Sequence, residues 1–505
     1  MTTDEGERSM IETVRKNWWV YVVVALFAVL LFLLLPRHEP WFDEAQFWLL
    51  ARDIGIVELF GRFLRYEGTP ALWILILMLP AKLGFPYITL NVISILFAII
   101  GVYLVVMYSP FPIIIRILYP FTYFIFYQYT VVARSYILLI LLLPLLAITY
   151  RERRRRVYTF TILLMLLGSV SLHGYLIALG LIAVEGIEVL RDWKKLNDKE
   201  KRAYLGSATM FGIFSAFTVL ILWPPSDGNI LSGFNFDIVN FLRVSARVIY
   251  EIMTGYRPPS ILLFGVMLWW FWRTGRLLVF LATTLPILVL FAVTFYYLHH
   301  TGVIFLLLIF NLWLSFETSK ALGWKNRPYL TVSTAILVIF SFHLYWAFSA
   351  FRYDFSERYS ASRDVANYLK ANQLDSQKIS AVGNRTVAIL PYFNRNIFAN
   401  FNSGQKPCYW MWAKSYNLNV WSYRDTTAGA IHDKVKLAAM DNHALIVVSV
   451  IGDYAPASTP VPGYELTKLF SGRVYWRDKA VEQESFAIFT RVVDNTRAAT
   501  ELRNQ

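Results

Sequence analysis

Apolar runs long enough to cross a bilayer, separated by short loops dense in arginine and lysine, fill most of the first 350 of 505 residues. A spanning helix needs about 20 apolar residues at 1.5 Å each to traverse roughly 30 Å of hydrocarbon. Such runs lie near residues 18–35, 87–107, 111–129, 131–150, 157–176, 176–190, 203–223, 260–272, 277–297, 302–316 and 329–350. Apolar residues make up 57% of the chain and charged residues 16%, against roughly 45–50% and about 25% in soluble chains. A globular core cannot hide that surplus. The pattern excludes a soluble enzyme, a disordered scaffold and a disulfide-built secreted module, the last also because Cys408 is the only cysteine. The first run follows a polar stretch and lacks a small-residue cleavage site, so it reads as an uncleaved first span.

Short basic loops stay on the cytoplasmic side of a membrane. Four loops carry that signal: Arg151 to Arg156, Arg191 to Arg202, Arg273 to Arg276, and Lys320 to Arg327. Arg8, Arg15 and Lys16 add to it. The net charge of +14 is therefore an orientation signal and not a nucleic-acid surface. One run, residues 70–84, would put every later basic loop on the wrong side if it spanned. It is short and holds Pro80 and Lys82, so it reads as an interfacial helix. Eleven spans then satisfy all the loops. The expected architecture is mainly α, a multi-pass plasma (inner) membrane protein with a cytoplasmic N-terminus. Residues 1–350 form the transmembrane domain and 351–505 an extracytoplasmic α/β domain. In that second domain the pattern predicts a helix over 356–372 and strands over 378–382, 444–451 and 486–493.

This topology gathers one small set of polar residues outside. Asp43 and Glu44 directly follow the first span in an aromatic, amphipathic stretch. Adjacent carboxylates near hydrocarbon lose solvation and repel each other, which raises at least one pKa and suits a general base. The same pair also reads as an acidic turn capping a helix. Arg134, beside Ser135 and Tyr136, either snorkels or offers its fork to a phosphate oxygen. His299 and His300 point about 100° apart if helical, which disfavours one shared metal and favours hydrogen bonding to phosphate or sugar. His173 and Arg257 are weaker members of the outer set. Glu67 caps or orients a Gly-Thr-Pro turn, Arg37 and His38 read as interfacial anchors, and Tyr409, Trp410 and Trp412 could stack on sugar rings. No Walker A sequence is present.

The first loop, with its Asp43-Glu44 pair and the stretch Glu67-Gly-Thr-Pro70 before an interfacial apolar run, resembles the GT-C glycosyltransferases. The nearest likeness is to the bacterial branch related to protein mannosyltransferases and aminoarabinose lipid A transferases. The resemblance covers roughly the first 150 residues by motif and the rest by architecture. It implies that Asp43 is the catalytic or activating acid, with Glu44 as its partner. It further implies transfer of a sugar from a polyprenyl-phosphate donor to a lipid, glycan or protein acceptor on the outer face, usually with inversion. Arg134, Tyr136, His173, Arg257, His299, His300 and Glu67 are then the substrate-binding candidates. Many relatives carry an acidic residue in the second outer loop, where this chain has Ala133-Arg-Ser-Tyr136. That departure leaves a divalent cofactor unsupported and leaves open direct phosphate contact by Arg134. The alternative is a non-catalytic or transport subunit of a polysaccharide or lipid export system. A transporter would be expected to show mid-span ionisable residues and internal repeats, and neither is evident.

Overall fold

The computed structural model describes residues 17–228, 236–294, 296–323, 327–422 and 424–492. Arg8, Arg15 and Lys16, residues 324–326 of the last basic loop and Val493 of the expected final strand lie outside the described residues.

The chain is mainly helical with a small C-terminal sheet region. Thr89–Tyr108, Leu172–Lys195, Asp198–Leu222, Leu298–Ala321 and Arg327–Ser356 are long and apolar enough, by length and composition, to cross a membrane. Trp18–Leu34, Ile137–Tyr150, Val157–Gly168 and Leu277–Val293 are shorter apolar helices packed among them. The basic loops meet at one end of this bundle. Arg153 pairs with Glu185 and, at 2.5 Å, with Glu188, while Arg154 reaches Asp192 at 3.1 Å. Arg276 donates to Thr318 Oγ1 at 3.2 Å and lies over the Tyr150 ring.

Three segments depart from the sequence pattern. Residues 111–131 are not one helix: Ile113–Leu118 gives way to a 3₁₀ turn at Tyr119–Phe121 and then a π-helix at Phe124–Val131 whose side chains are all buried. Pro120 supplies no N–H at the break. The wider π turn brings Tyr123 Oη to donate to Gln128 Oε1, five residues on, at 2.9 Å. Val132 is extended and the next helix starts only at Ile137, so Ala133 to Tyr136 form a loop tucked into the bundle. The paired run 157–190 divides at Ser169–Ser171, not at 176. There the Ser171 hydroxyl accepts the Gly174 N–H at 3.1 Å as an N-cap, and a Cβ on Gly174 would collide with the Leu167 carbonyl. The loop after residue 224 holds an unforeseen amphipathic helix, Ile238–Ile252, capped by Asp237 through the N–H groups of Val239 and Asn240.

Leu72–Lys82 has 11 residues, about 16 Å of helix, too short to span. It packs on Phe42–Asp53, burying Trp73, Ile74 and Leu77, and Lys82 Nζ donates to the Ile54 carbonyl at 2.7 Å.

The last bundle helix runs on to Ser356, so the compositional boundary at 350 falls inside it. Beyond it, the helix expected over 356–372 is Ser362–Ala371. The sheet has the order β1-β2-β6-β3, with β1 Ile379–Val382, β2 Leu445–Val450, β3 Tyr464–Phe470 and β6 Ser485–Arg491. β1 and β2 are parallel, the other pairs antiparallel. Strands β1, β2 and β6 read correctly as apolar runs because both their faces are covered. Leu445 and Val447 face the core shared with the bundle, whereas Ile446 and Val448 pack under the helix Ala428–Met440. β3 and the hairpin of β4 Arg473–Trp476 and β5 Lys479–Gln483 are more polar and escape the sequence pattern.

Candidate functional site

At the bundle end away from the basic loops, the first-loop helix Phe42–Asp53 is held from both sides. Its own Glu44 reaches back to accept the Trp41 N–H at 3.2 Å, the carboxylate half of a capping box. From the C-terminal region, Glu484 accepts the Phe42 N–H at 2.9 Å. Gln46 clasps the backbone of Trp410 in both directions, at 2.6 and 2.8 Å, and Asp53 accepts the Cys408 N–H at 2.9 Å. The helix start is therefore a fixed platform, and Asp43 stands on its first turn.

The two adjacent carboxylates diverge. Asp43 faces Arg134, whose Nη1 lies 3.1 Å from Oδ2. Glu44 is fully buried, accepting the Ala133 N–H at 2.8 Å and the Asn91 amide at 3.3 Å through Oε1. Its Oε2 faces His38 Nε2 at 3.4 Å. The dyad expected from adjacency is thus split: Asp43 opens toward the cation, and Glu44 pins the loop that carries that cation.

His38 is buried between two carboxylates, with Nδ1 3.0 Å from Asp354 Oδ2. Tyr127 Oη donates to the other Asp354 oxygen at 2.9 Å. Burial pushes the imidazole down, but Asp354 and Glu44 together outweigh it and hold its pKa up at about 10. It is an imidazolium ion in a closed network and not the interfacial anchor its position suggested. Arg37 is exposed and lies over the Phe355 ring at 5.2 Å.

Asp43 keeps 24% side-chain exposure. Burial raises its pKa, while Arg134 opposes the rise. Glu67 belongs to the same pocket of charge: burial and then Asp43 push its carboxyl up to about 8, and Oε2 has no hydrogen-bond partner among the described residues. Arg134 stacks over Tyr136, its carbon 5.5 Å from the ring centroid, and its Nε and Nη1 make no hydrogen bond among the described residues, leaving the ion pair with Asp43. Arg385 and Glu482, paired at 2.8 Å, bring further charge from the C-terminal region to Asp43.

Behind Arg134 the three histidines meet. The His173 and His300 rings are 4.9 Å apart and those of His299 and His300 4.3 Å. Tyr136 Oη lies 3.5 Å from His173 Nδ1, and Tyr129 Oη donates to the His299 carbonyl at 2.7 Å. Trp41 meets His299 edge-on at 6.4 Å. Among the described residues no group of three His, Cys, Asp or Glu is placed to hold a metal ion.

The structure therefore brings together Asp43, Glu67, Arg134, Tyr136, His173, His299 and His300 from five separate stretches of chain. Arg257 is not with them: it is exposed at the start of the helix Arg257–Arg273. Tyr409 and Trp410 are buried, Tyr409 donating to Glu58 at 3.1 Å, so these two rings offer no sugar platform. Trp412 meets Phe42 edge-on at 6.0 Å. Sequence reasoning missed Asn91, Asp354, Arg385 and Glu484, each supplied by a distant element. Asp354 alone left a signal, as the first acidic residue after the last apolar run. Comparison with protein-family models, curated proteins and solved structures yields no match.

Proposed function

We propose that this protein is a membrane glycosyltransferase of the GT-C type, moving a sugar from a polyprenyl-phosphate donor to an acceptor hydroxyl at the extracytoplasmic face. The observation that carries the reading is the 3.1 Å contact of Asp43 with Arg134, a partly exposed carboxylate with raised pKa against an arginine that retains unused donors. A phosphate offers several acceptor oxygens and competes with Asp43 for that fork. Donor binding thereby frees the carboxylate next to the reacting centre. The acceptor oxygen then bonds to the anomeric carbon as its proton passes to Asp43. The carbon–oxygen bond to phosphate breaks, and the electron pair leaves on the phosphate, where Arg134 stabilises it. Attack from the face opposite the phosphate inverts the anomeric centre.

Glu44 and His38 are positioning residues in this scheme, because neither reaches the open side of the site. The reading takes the eleven-span topology with it. It treats the broken segment 111–131 as one crossing and the helices Leu72–Lys82 and Ile238–Ile252 as interfacial. It puts the basic loops in the cytoplasm, with Asp43 and the C-terminal domain outside. The decisive experiment reconstitutes the protein with a polyprenyl-phosphate sugar and follows transfer to a lipid or glycan acceptor. Transfer lost in Asp43→Asn supports the assignment; unchanged turnover in that variant overturns it, and no transfer with any such donor favours an export subunit. A reporter fused after Ser356 should be active only outside the cytoplasm.

A further inference from the structure

A second site lies apart from Asp43, where the β4–β5 turn inserts against the bundle. It is a cavity of about 430 Å³ between that turn, the end of the helix Ile238–Ile252 and the last bundle helix. Its innermost charge is Arg477, which is 4% exposed and sits at a left-handed turn position with φ of 58°. Its backbone N–H donates to Tyr123 Oη at 3.0 Å, and its guanidinium carbon lies 4.5 Å from the centroid of Trp346. Gly255 makes room for this stack: a Cβ there would stand 3.1 Å from Trp346 and 3.2 Å from Arg477 Nη1.

The guanidinium has five donors. Glu251 faces Nη2 at 3.0 Å and accepts weakly from Nη1 through its carbonyl at 3.5 Å, while buried Nε has no acceptor among the described residues. The two aliphatic hydroxyls of the wall are already donors to backbone, Thr254 to Tyr256 and Ser341 to Val338. Lys479 and Asp478, both exposed, complete the rim. Glu251 balances Arg477, so the ligand meets one cation and one carboxylate at the mouth and the edge of a buried guanidinium inside. A group with a phosphate and an ammonium matches that arrangement: oxygens to Arg477 and Lys479, ammonium to Asp478 and the aromatic faces.

The cavity is flanked by apolar side chains turned away from the protein. Tyr256 is 64% exposed, and Ile261 and Leu262 on the next helix are 66% and 70% exposed. These are surfaces for acyl chains, and aromatic rings with a polar tip favour the depth of lipid headgroups. We propose that this cavity seats the headgroup of an amine-bearing phospholipid of the phosphoethanolamine kind. The proposal is independent of sugar transfer at Asp43.

The test is native mass spectrometry of the full-length protein in detergent, titrated with phosphatidylethanolamine or phosphatidylglycerol. The wild type is expected to retain one phosphatidylethanolamine with at least tenfold preference over phosphatidylglycerol. Ser341→Trp, which fills the mouth, removes that lipid, and Lys479→Ala weakens both lipids. Asp478→Asn abolishes the preference while keeping phosphatidylglycerol binding. Equal retention in Ser341→Trp and wild type overturns the site, and an unchanged preference in Asp478→Asn overturns the ammonium contact. Free phosphoethanolamine displacing the lipid at equal concentration would overturn the membrane source in favour of a soluble ester. All three substitutions are at exposed positions, so folding is retained and checked by the melting temperature.

Discussion

The Glu44 carboxylate accepts the backbone N–H of Ala133 at 2.8 Å, so the first loop directly holds the residue before Arg134. One side chain thus sets the separation of Asp43 and Arg134, which stand on different loops 91 residues apart in sequence. Glu44→Ala leaves the Ala133 N–H and the His38 cation buried without this partner. Such a loss costs roughly 3 kcal/mol, and it should lower the melting temperature in detergent. Asp43→Ala, whose carboxylate is partly exposed, should leave the melting temperature within a few degrees of wild type. Equal destabilisation by the two variants would contradict the division between a positioning Glu44 and a reactive Asp43.

Asp43→Asn keeps the size of the side chain but removes the proposed base. Transfer should fall roughly 100- to 10,000-fold, the range of a general base, with donor KM unchanged or lower, since the amide no longer competes with phosphate for Arg134. The measurement is initial rate against donor concentration in proteoliposomes. A loss confined to KM would make Asp43 a binding residue.

Arg134→Ala should act on the donor. A charge-assisted hydrogen bond to phosphate is worth about 1.5–3 kcal/mol, so donor KM should rise roughly ten- to a hundredfold while acceptor KM stays near wild type. Arg134→Lys should restore part of this, since a lysine keeps the charge without the fork. Equal donor KM in all three forms would sink phosphate contact.

The pair also sets a pH dependence. The base works only when ionised, so the rate should climb with pH on the acid limb. Burial raises the Asp43 pKa and the Arg134 charge lowers it. Arg134→Gln removes the lowering influence, and the acid limb should move to higher pH. A limb that stays in place or moves down would show that another group titrates.

Much of this organisation was legible beforehand, for physical reasons that differ by element. The apolar helices announce themselves by length and composition, and the structure gathers Asp43, Arg134, His173 and His300 at one end, as the expected outer loops required. The split of Asp43 from Glu44 was not legible: it depends on where Ala133 arrives, which follows from a π turn and from the extended Val132. Arg257 failed because sharing an expected side does not imply sharing a pocket: it is exposed at the start of its own helix. Asp354 left only the trace of an acid after the last apolar run, since its role exists only once the last bundle helix packs beside His38; Arg385 and Glu484 were invisible because theirs exist only once the C-terminal region has docked on the Phe42–Asp53 helix.

The contact of the first loop with the last bundle helix is titratable through His38. The imidazole has an ordinary pKa of 6.5 when unfolded and about 10 in the folded protein, since Asp354 and Glu44 outweigh the cost of burial. A group whose pKa is raised on folding contributes its full stabilisation below the unfolded value and loses it as pH climbs through the folded one. The melting temperature should therefore be level up to about pH 6.5 and decline toward pH 10. His38→Gln should be less stable than wild type at pH 6 and should flatten that decline, so the two curves converge in alkali. Parallel curves across this range would mean that His38 is neutral in the folded protein, and the Tyr127–Asp354–His38–Glu44 network would need a different proton arrangement.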